Sequence, residues 1–205
     1  MTKLRFAMLA LCIAAPAIAS ERNIDVANEG DIRDKWMLAD GVQIDAPFYP
    51  DGFAGTPRDV CVALGYRVNA DGTTSDFRVL KQWNSQTQAI EPAEGFWAGF
   101  AHAGADEVRG WKFQPREGVT PEPVFTVATL TWTRQAGTDQ LAVRQKCEIR
   151  NLAAFMRSGG QQSGLNDHDI ERYARLREDR LQGIAGTPNN PTTVTKGFEK
   201  PKPKP

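Results

Sequence analysis

A chain of 205 residues with 25 Lys and Arg against 25 Asp and Glu has no net charge at neutral pH, so its composition supplies no basic field for nucleic acid. The length is ample for one core-bearing domain with an extension, and no nucleophile-elbow, Walker or dinucleotide-binding motif occurs in it.

Lys3 and Arg5 precede an apolar run at residues 6–15 that closes on the small residues Ala17, Ile18 and Ala19, the pattern of a secretory signal peptide over residues 1–19. Cleavage between Ala19 and Ser20 is expected, which leaves 23 basic residues against 25 acidic ones and no stable membrane insertion. An uncleaved anchor is the alternative, although the run is shorter than the roughly 20 apolar residues of a membrane span. Cys12 lies inside the run, so export leaves Cys61 and Cys147, the number needed for one bridge in an oxidising compartment. A Cys61–Cys147 disulfide is expected. Two buried free thiols are the alternative, because a sequence does not fix the distance between Cα atoms.

Residues 20–46 are mixed and polar, with Trp36, Met37 and Leu38 as the one apolar cluster before the Asp40-Gly41 turn, and read as a short helix or an irregular arm. Pro47, Pro50 and Pro57 then punctuate the chain, because proline fixes φ and restricts the residue before it, and a domain over residues 47–135 is expected to open here. Val60, Val62, Leu64, Tyr66 and Val68 recur with period two, which predicts a strand with one wholly apolar face. Cys61, Ala63, Gly65 and Arg67 make the opposite face, and a bridge would draw the segment around Cys147 across it. Asp71-Gly72 accepts the positive φ of a tight hairpin, and residues 75–83 return as a second strand with Phe77, Val79 and Trp83 on one side.

Phe96, Phe100, Ala103, Val108 and Trp111 fall on one helical stripe, which Pro115 is expected to stop. Gly99, Gly104 and Gly110 each cost that helix on the order of 1 kcal/mol relative to alanine, so a sheet must hold it. Residues 124–132 are β-branched and apolar in both alternating sets, which predicts a third strand buried on both faces or an edge that receives a partner. The order ββαβ implies an α+β fold, a small antiparallel sheet of about three strands with the helix packed on one face.

Residues 136–182 read as a helical extension: a helix from Cys147 to Met156, a break at Ser158-Gly159-Gly160, and a restart capped by Asn166 or Asp167. Ile170, Tyr173, Ala174, Arg177 and Leu181 share a face of the second helix. Residues 183–205 hold too little apolar surface for a core and are expected to be disordered. His102 and His168 are far apart, and Asp167-His168-Asp169 reads as the charged start of a helix rather than a metal site. No catalytic, cofactor or metal residue is assigned.

Tyr49-Pro50, Asp71-Gly72 and the element Val108-Arg109-x-Trp111-Lys112-Phe113-x-Pro115 stand in the order and spacing of a known domain. They resemble the C-terminal domain of TonB-type energy transducers, over about residues 47–132. The resemblance implies a periplasmic, non-enzymatic protein without cofactors that binds a protein or peptide partner, outer-membrane transport components among the candidates. It also implies recognition by strand addition at a free sheet edge, for which Val124, Phe125, Thr126, Val127, Ala128, Thr129 and Leu130 are the candidates. A strand covered by this protein's own C-terminal segment is the alternative. Transducers of the family keep a membrane anchor and carry a Pro-rich spacer ahead of the domain, whereas the Lys-Pro run here follows it. A membrane-anchored transducer with an uncleaved first segment is therefore the second reading.

Overall fold

The computed structural model describes residues 24–160 and 164–185. The signal pattern with its Ala19-Ser20 junction, and the tail from residue 186 onward, lie outside the described residues. Among the described residues are six strands, β1 (Asp25–Val26), β2 (Trp36–Leu38), β3 (Val60–Val68), β4 (Thr74–Asn84), β5 (Phe113–Pro115) and β6 (Val124–Trp132). Four α-helices accompany them, α1 (Phe96–Gly110), α2 (Gln140–Cys147), α3 (Leu152–Arg157) and α4 (Asp167–Ala185), and the fold is α+β.

The period-two segment is the middle of the main sheet. Its order is β1-β6-β3-β4, with β3 antiparallel to both β4 and β6 and β1 parallel to β6. Val60, Val62, Leu64, Tyr66 and Val68 are all buried against Phe96, Phe100 and Val108 of α1, with Trp111 and Trp132 closing the same core. Burying each such side chain stabilises by about 1.5 to 3 kcal/mol, so this face holds α1 despite its glycines. Gly104 is small because a Cβ there would come within 2.6 Å of Leu130 Cδ1. The helical cost of that glycine is the condition for seating α1 close to the sheet.

The second face is covered as the cysteines predict. Cys61, Ala63, Leu80, Phe125 and Val127 pack under Val143, Cys147, Ile149 and Leu152. Cys61 and Cys147 are disulfide-bonded, with their Cα atoms 6.0 Å apart.

Several expectations need correction. Phe77, Val79 and Trp83 do not share a side: Ala63 lies opposite Lys81 but Leu64 opposite Val79, so Leu80 is an extra residue in β4. This bulge sends Phe77 and Val79 to the α1 core and Leu80 and Trp83 to the second cluster. A second irregularity sits where Asp76, at φ 54°, reaches across to Arg67 with 3.1 Å between carboxylate and guanidinium. Helix α1 ends at Gly110 rather than at Pro115, because Trp111 is already extended at ψ 129° and Phe113–Pro115 forms β5.

The N-terminal arm is not irregular throughout: Trp36–Leu38 pairs antiparallel with β5, and Asp25–Val26 joins the main sheet ahead of the expected Pro47 boundary. The single helix expected from Cys147 to Met156 is two helices. Asp139 caps α2 by accepting from the Leu141 N–H, and Asn151 caps α3 by accepting from the Ala154 N–H. Asn166 does cap α4, accepting from His168 N at 3.0 Å, and Ile170 is buried while Leu181 stays exposed. Helix α4 runs to Ala185, three residues into the stretch expected to be disordered.

Asp59, next to the first residue of β3, ties the sheet to the chain after β6. Its side chain accepts from Arg134 N at 2.8 Å, Gln135 N at 3.0 Å and Thr138 Oγ1 at 2.6 Å. Burial alone would push this carboxyl up, but the three donors outweigh it and hold the pKa below the ordinary value. Asp59→Ala strands those donors and is expected to cost about 2 to 4 kcal/mol by urea unfolding at neutral pH, with Asp59→Asn losing less. A depressed carboxylate contributes stability that is fully present above the unfolded value near 3.8 and lost as pH falls through the lower folded value. The deficit of Asp59→Ala should therefore shrink on acidification through that window.

Candidate peptide-binding edge

The residues of the sequence motif fall in two places, Tyr49-Pro50 near the start of β3 and the others around the hairpin turn at its end. Tyr49 accepts the Arg58 N–H at 3.0 Å and sets its ring edge-on to Phe100 at 5.0 Å, while Pro50 offers its carbonyl to Phe53 N. The Asp71 carboxylate accepts from Thr73 Oγ1 at 2.6 Å and Thr73 N at 3.0 Å, which lowers its pKa and closes the hairpin turn. Gly72 accepts from Phe113 N at 2.9 Å, so the turn is bonded to the segment after α1. Thr74 Oγ1 donates to the Val108 carbonyl at 2.9 Å, and the Arg109 guanidinium lies 5.0 Å from the centre of the Phe77 ring. Trp111 donates from Nε1 to Glu107 at 3.0 Å and meets Tyr66 edge-on. The Lys112 carbonyl receives Ala39 N, and Pro115 lies opposite Trp36. Apart from Tyr49 and Pro50, these residues fasten hairpin, helix end and arm together.

The candidate edge of β6 divides into two parts. Its first part is covered by the chain's own arm, not by a C-terminal segment: β1 pairs with Val124 and Phe125, Ala27 N donates to Phe125 O at 2.9 Å, and Thr126 Oγ1 donates to Asn28 O at 3.1 Å. Beyond that point the arm leaves, and no described strand lies beside residues 127–131 on this edge. The opposite sheet edge, β4, is met by Leu165 and Asn166 at Val79 and Arg78, and by the turn at Gln88.

At Thr129 the edge is met by side chains. Its N–H and Oγ1 donate to the two oxygens of Glu29 at 2.8 Å each, and its carbonyl receives Arg144 Nη1 at 2.8 Å. Arg144 Nη2 in turn lies 2.7 Å from Glu29 Oε1. Thr129, Leu130 and Thr131 form the floor of an open cleft of about 410 Å³, walled by Ile44, Ala46 and Pro47 on one side and by Leu141 and Arg144 of α2 on the other. Ile44 also borders a second concavity of about 360 Å³, lined by the buried side chains of Val127, Tyr66, Trp36, Trp111 and Phe113. The walls are fixed from behind, by Trp132 Nε1 donating to Phe48 O and by the disulfide at the end of α2. Ile44 and Leu141 nevertheless leave 57% and 61% of their surface in water. Glu29, Ile44, Leu141 and Arg144 were not legible as site residues, since nothing in the sequence around any of them ties it to β6.

Neither histidine joins the edge. His102 packs by Phe48 and Tyr173, where burial pushes its pKa down against the opposing Asp106 carboxylate 3.3 Å away. His168 is in the first turn of α4. Among the described residues no group of three or more His, Cys, Asp or Glu could hold a metal ion, and no helix is long and apolar enough to cross a membrane.

No family model matches the sequence, and no curated protein matches it. Among solved structures, the solution NMR structure of the TonB C-terminal domain of Pseudomonas aeruginosa is similar over 55% of this chain and 97% of that one, at 16% identity and a TM-score of 0.39. A likeness at that level carries no weight for function, which rests on this chain's own residues.

Proposed function

We propose that this chain is a periplasmic, non-enzymatic protein with a TonB C-terminal-like domain, and that it binds an extended segment of a protein partner by strand addition to β6. The observation that supports this is the stretch 127–131: a sheet edge with no strand beside it among the described residues, at the floor of a cleft whose apolar walls are held open by the fold. The disulfide suits an oxidising compartment, and the motif residues suit the family. An edge this short fits a transient complex rather than an obligate one.

Ile44→Lys and Leu141→Lys place charge on the two walls at positions already exposed to water. They should leave the melting curve within about 0.5 kcal/mol of wild type and abolish the retention of a partner that the wild-type chain holds from a periplasmic extract. Retention unchanged in both variants would move the binding surface elsewhere. N-terminal sequencing of the chain recovered from cells tests the compartment, with a start at Ser20 expected. A membrane-bound chain that keeps Lys3 and Arg5 would instead support the anchored transducer.

A further inference from the structure

A neighbouring strand would present an acceptor to each outward N–H of β6 and a donor to each outward carbonyl. At Thr129 the Glu29 carboxylate fills the first position and the Arg144 guanidinium the second, and the two side chains are paired to each other. We propose that Glu29 and Arg144 form a displaceable plug, standing where one peptide group of an incoming strand would lie, and that the occupant replacing them is an extended peptide segment of another protein with apolar side chains toward Ile44 and Leu141. This rests on the reading of β6 as a strand-addition site and adds the means by which the site is kept closed.

Three observations carry it. The plug continues an interface the chain already makes with itself: β1 covers Val124 and Phe125, Asn28 meets Thr126, and Glu29 follows on to Thr129 along the same edge. Gly30, at φ 84°, then turns the backbone, and the arm reaches Thr129 through the Glu29 side chain. The pair is also accessible, with side-chain exposures of 24% for Glu29 and 42% for Arg144, so water can solvate both groups on release. The buried carboxylate of Asp59, by contrast, is 3% exposed and bound by three donors, an arrangement that is fixed. Finally, the exposed faces of Ile44 and Leu141 flank the plug on both sides of the edge, where an alternating peptide places its side chains.

The test uses the full-length chain as wild type, as Glu29→Ala/Arg144→Ala, and as Leu141→Lys. The probe is a displayed library of random heptapeptides panned on the wild type and on the double variant, after which the leading peptide is synthesised and titrated into each isotope-labelled chain. The double variant is expected to bind roughly tenfold more tightly than the wild type, since an exposed ion pair no longer competes, with amide shifts centred on Val127 and Thr131. Leu141→Lys should weaken the same peptide. Equal affinity for wild type and double variant would overturn the plug while leaving the strand-addition site standing. Absence of binding to either chain would overturn both. A double variant that self-associates in sedimentation without taking the peptide would also overturn the plug, because the pair would then be a guard against edge-to-edge pairing.

Discussion

Gly72→Ala is expected to destabilise the protein by about 3 to 5 kcal/mol, which for a chain of this size lowers the melting temperature by roughly 10 °C or more. Two separate costs add at this position. The backbone is at φ 78°, where an L side chain costs about 1 to 2 kcal/mol. A Cβ built on it would overlap the carbonyl oxygen of Phe113, which is backbone and cannot rotate aside. Relief requires the turn and the segment after α1 to separate, which breaks the bond from Phe113 N to Gly72 O and loosens Trp111 and Phe113 from Tyr66. Gly41→Ala isolates the first cost, because Gly41 is at φ 81° with nothing within 4 Å of its Cβ position. Gly110→Ala lacks both costs, being open and at the end of α1, and should be neutral or slightly stabilising. If thermal unfolding places Gly72→Ala beside Gly41→Ala, the close approach of the hairpin to Phe113 is not what makes the glycine necessary.

The same contact shows what could be seen in advance. Asp71-Gly72 was legible as a turn because positive φ is a local demand, β3 and α1 because their apolar residues repeat at the period of the element, and β6 because its residues are β-branched or apolar throughout. The bond from the turn to Phe113 was not, since it joins residues 41 apart and leaves no trace in either segment. Bulges fail for another reason: Leu80 is as apolar as Val79 before it, and only pairing with β3 shows that it fills the space over Gly65, where a Cβ would sit 3.0 Å from its Cδ1. The two residues of β1 carry no pattern at all.

The candidate site divides along the same line. Apolar residues on both faces of β6 marked it as a strand that is either doubly buried or an edge, and it is both: Phe125 and Val127 pack on one side, Val124, Ala128 and Leu130 on the other. Which part of the edge stays open depends on residues about a hundred positions upstream, with Asn28 meeting Thr126 at a separation of 98 and Glu29 meeting Thr129 at a separation of 100. Only the assembled sheet brings them together. Asn151 is the exception among the residues passed over, because an Asn just before the run Leu152-Ala153-Ala154-Phe155 is a cap that local chemistry alone would have allowed.

Replacing the bridge, as Cys61→Ala/Cys147→Ala, is expected to cost about 4 kcal/mol. It closes a loop of sequence separation 86, and the chain-entropy term for a loop that long is of this order. The effect should be unevenly placed. The α1 core, with Leu64, Phe100, Trp111 and Trp132, makes no use of the bridge, whereas the second cluster is centred on it and covers the other face of β3 with only α2, α3 and Ile149. Amide hydrogen exchange on the variant should therefore show residues 140–157 losing protection well before β3 and β6 do. Because α2 also carries Leu141 and Arg144, the cleft wall and the side chain on the Thr129 carbonyl loosen together, and partner retention should fall at temperatures where the hairpin is still intact. A uniform loss of protection across both clusters would mean that the sheet is one cooperative unit and that the bridge secures the whole fold, not the face that frames the open edge.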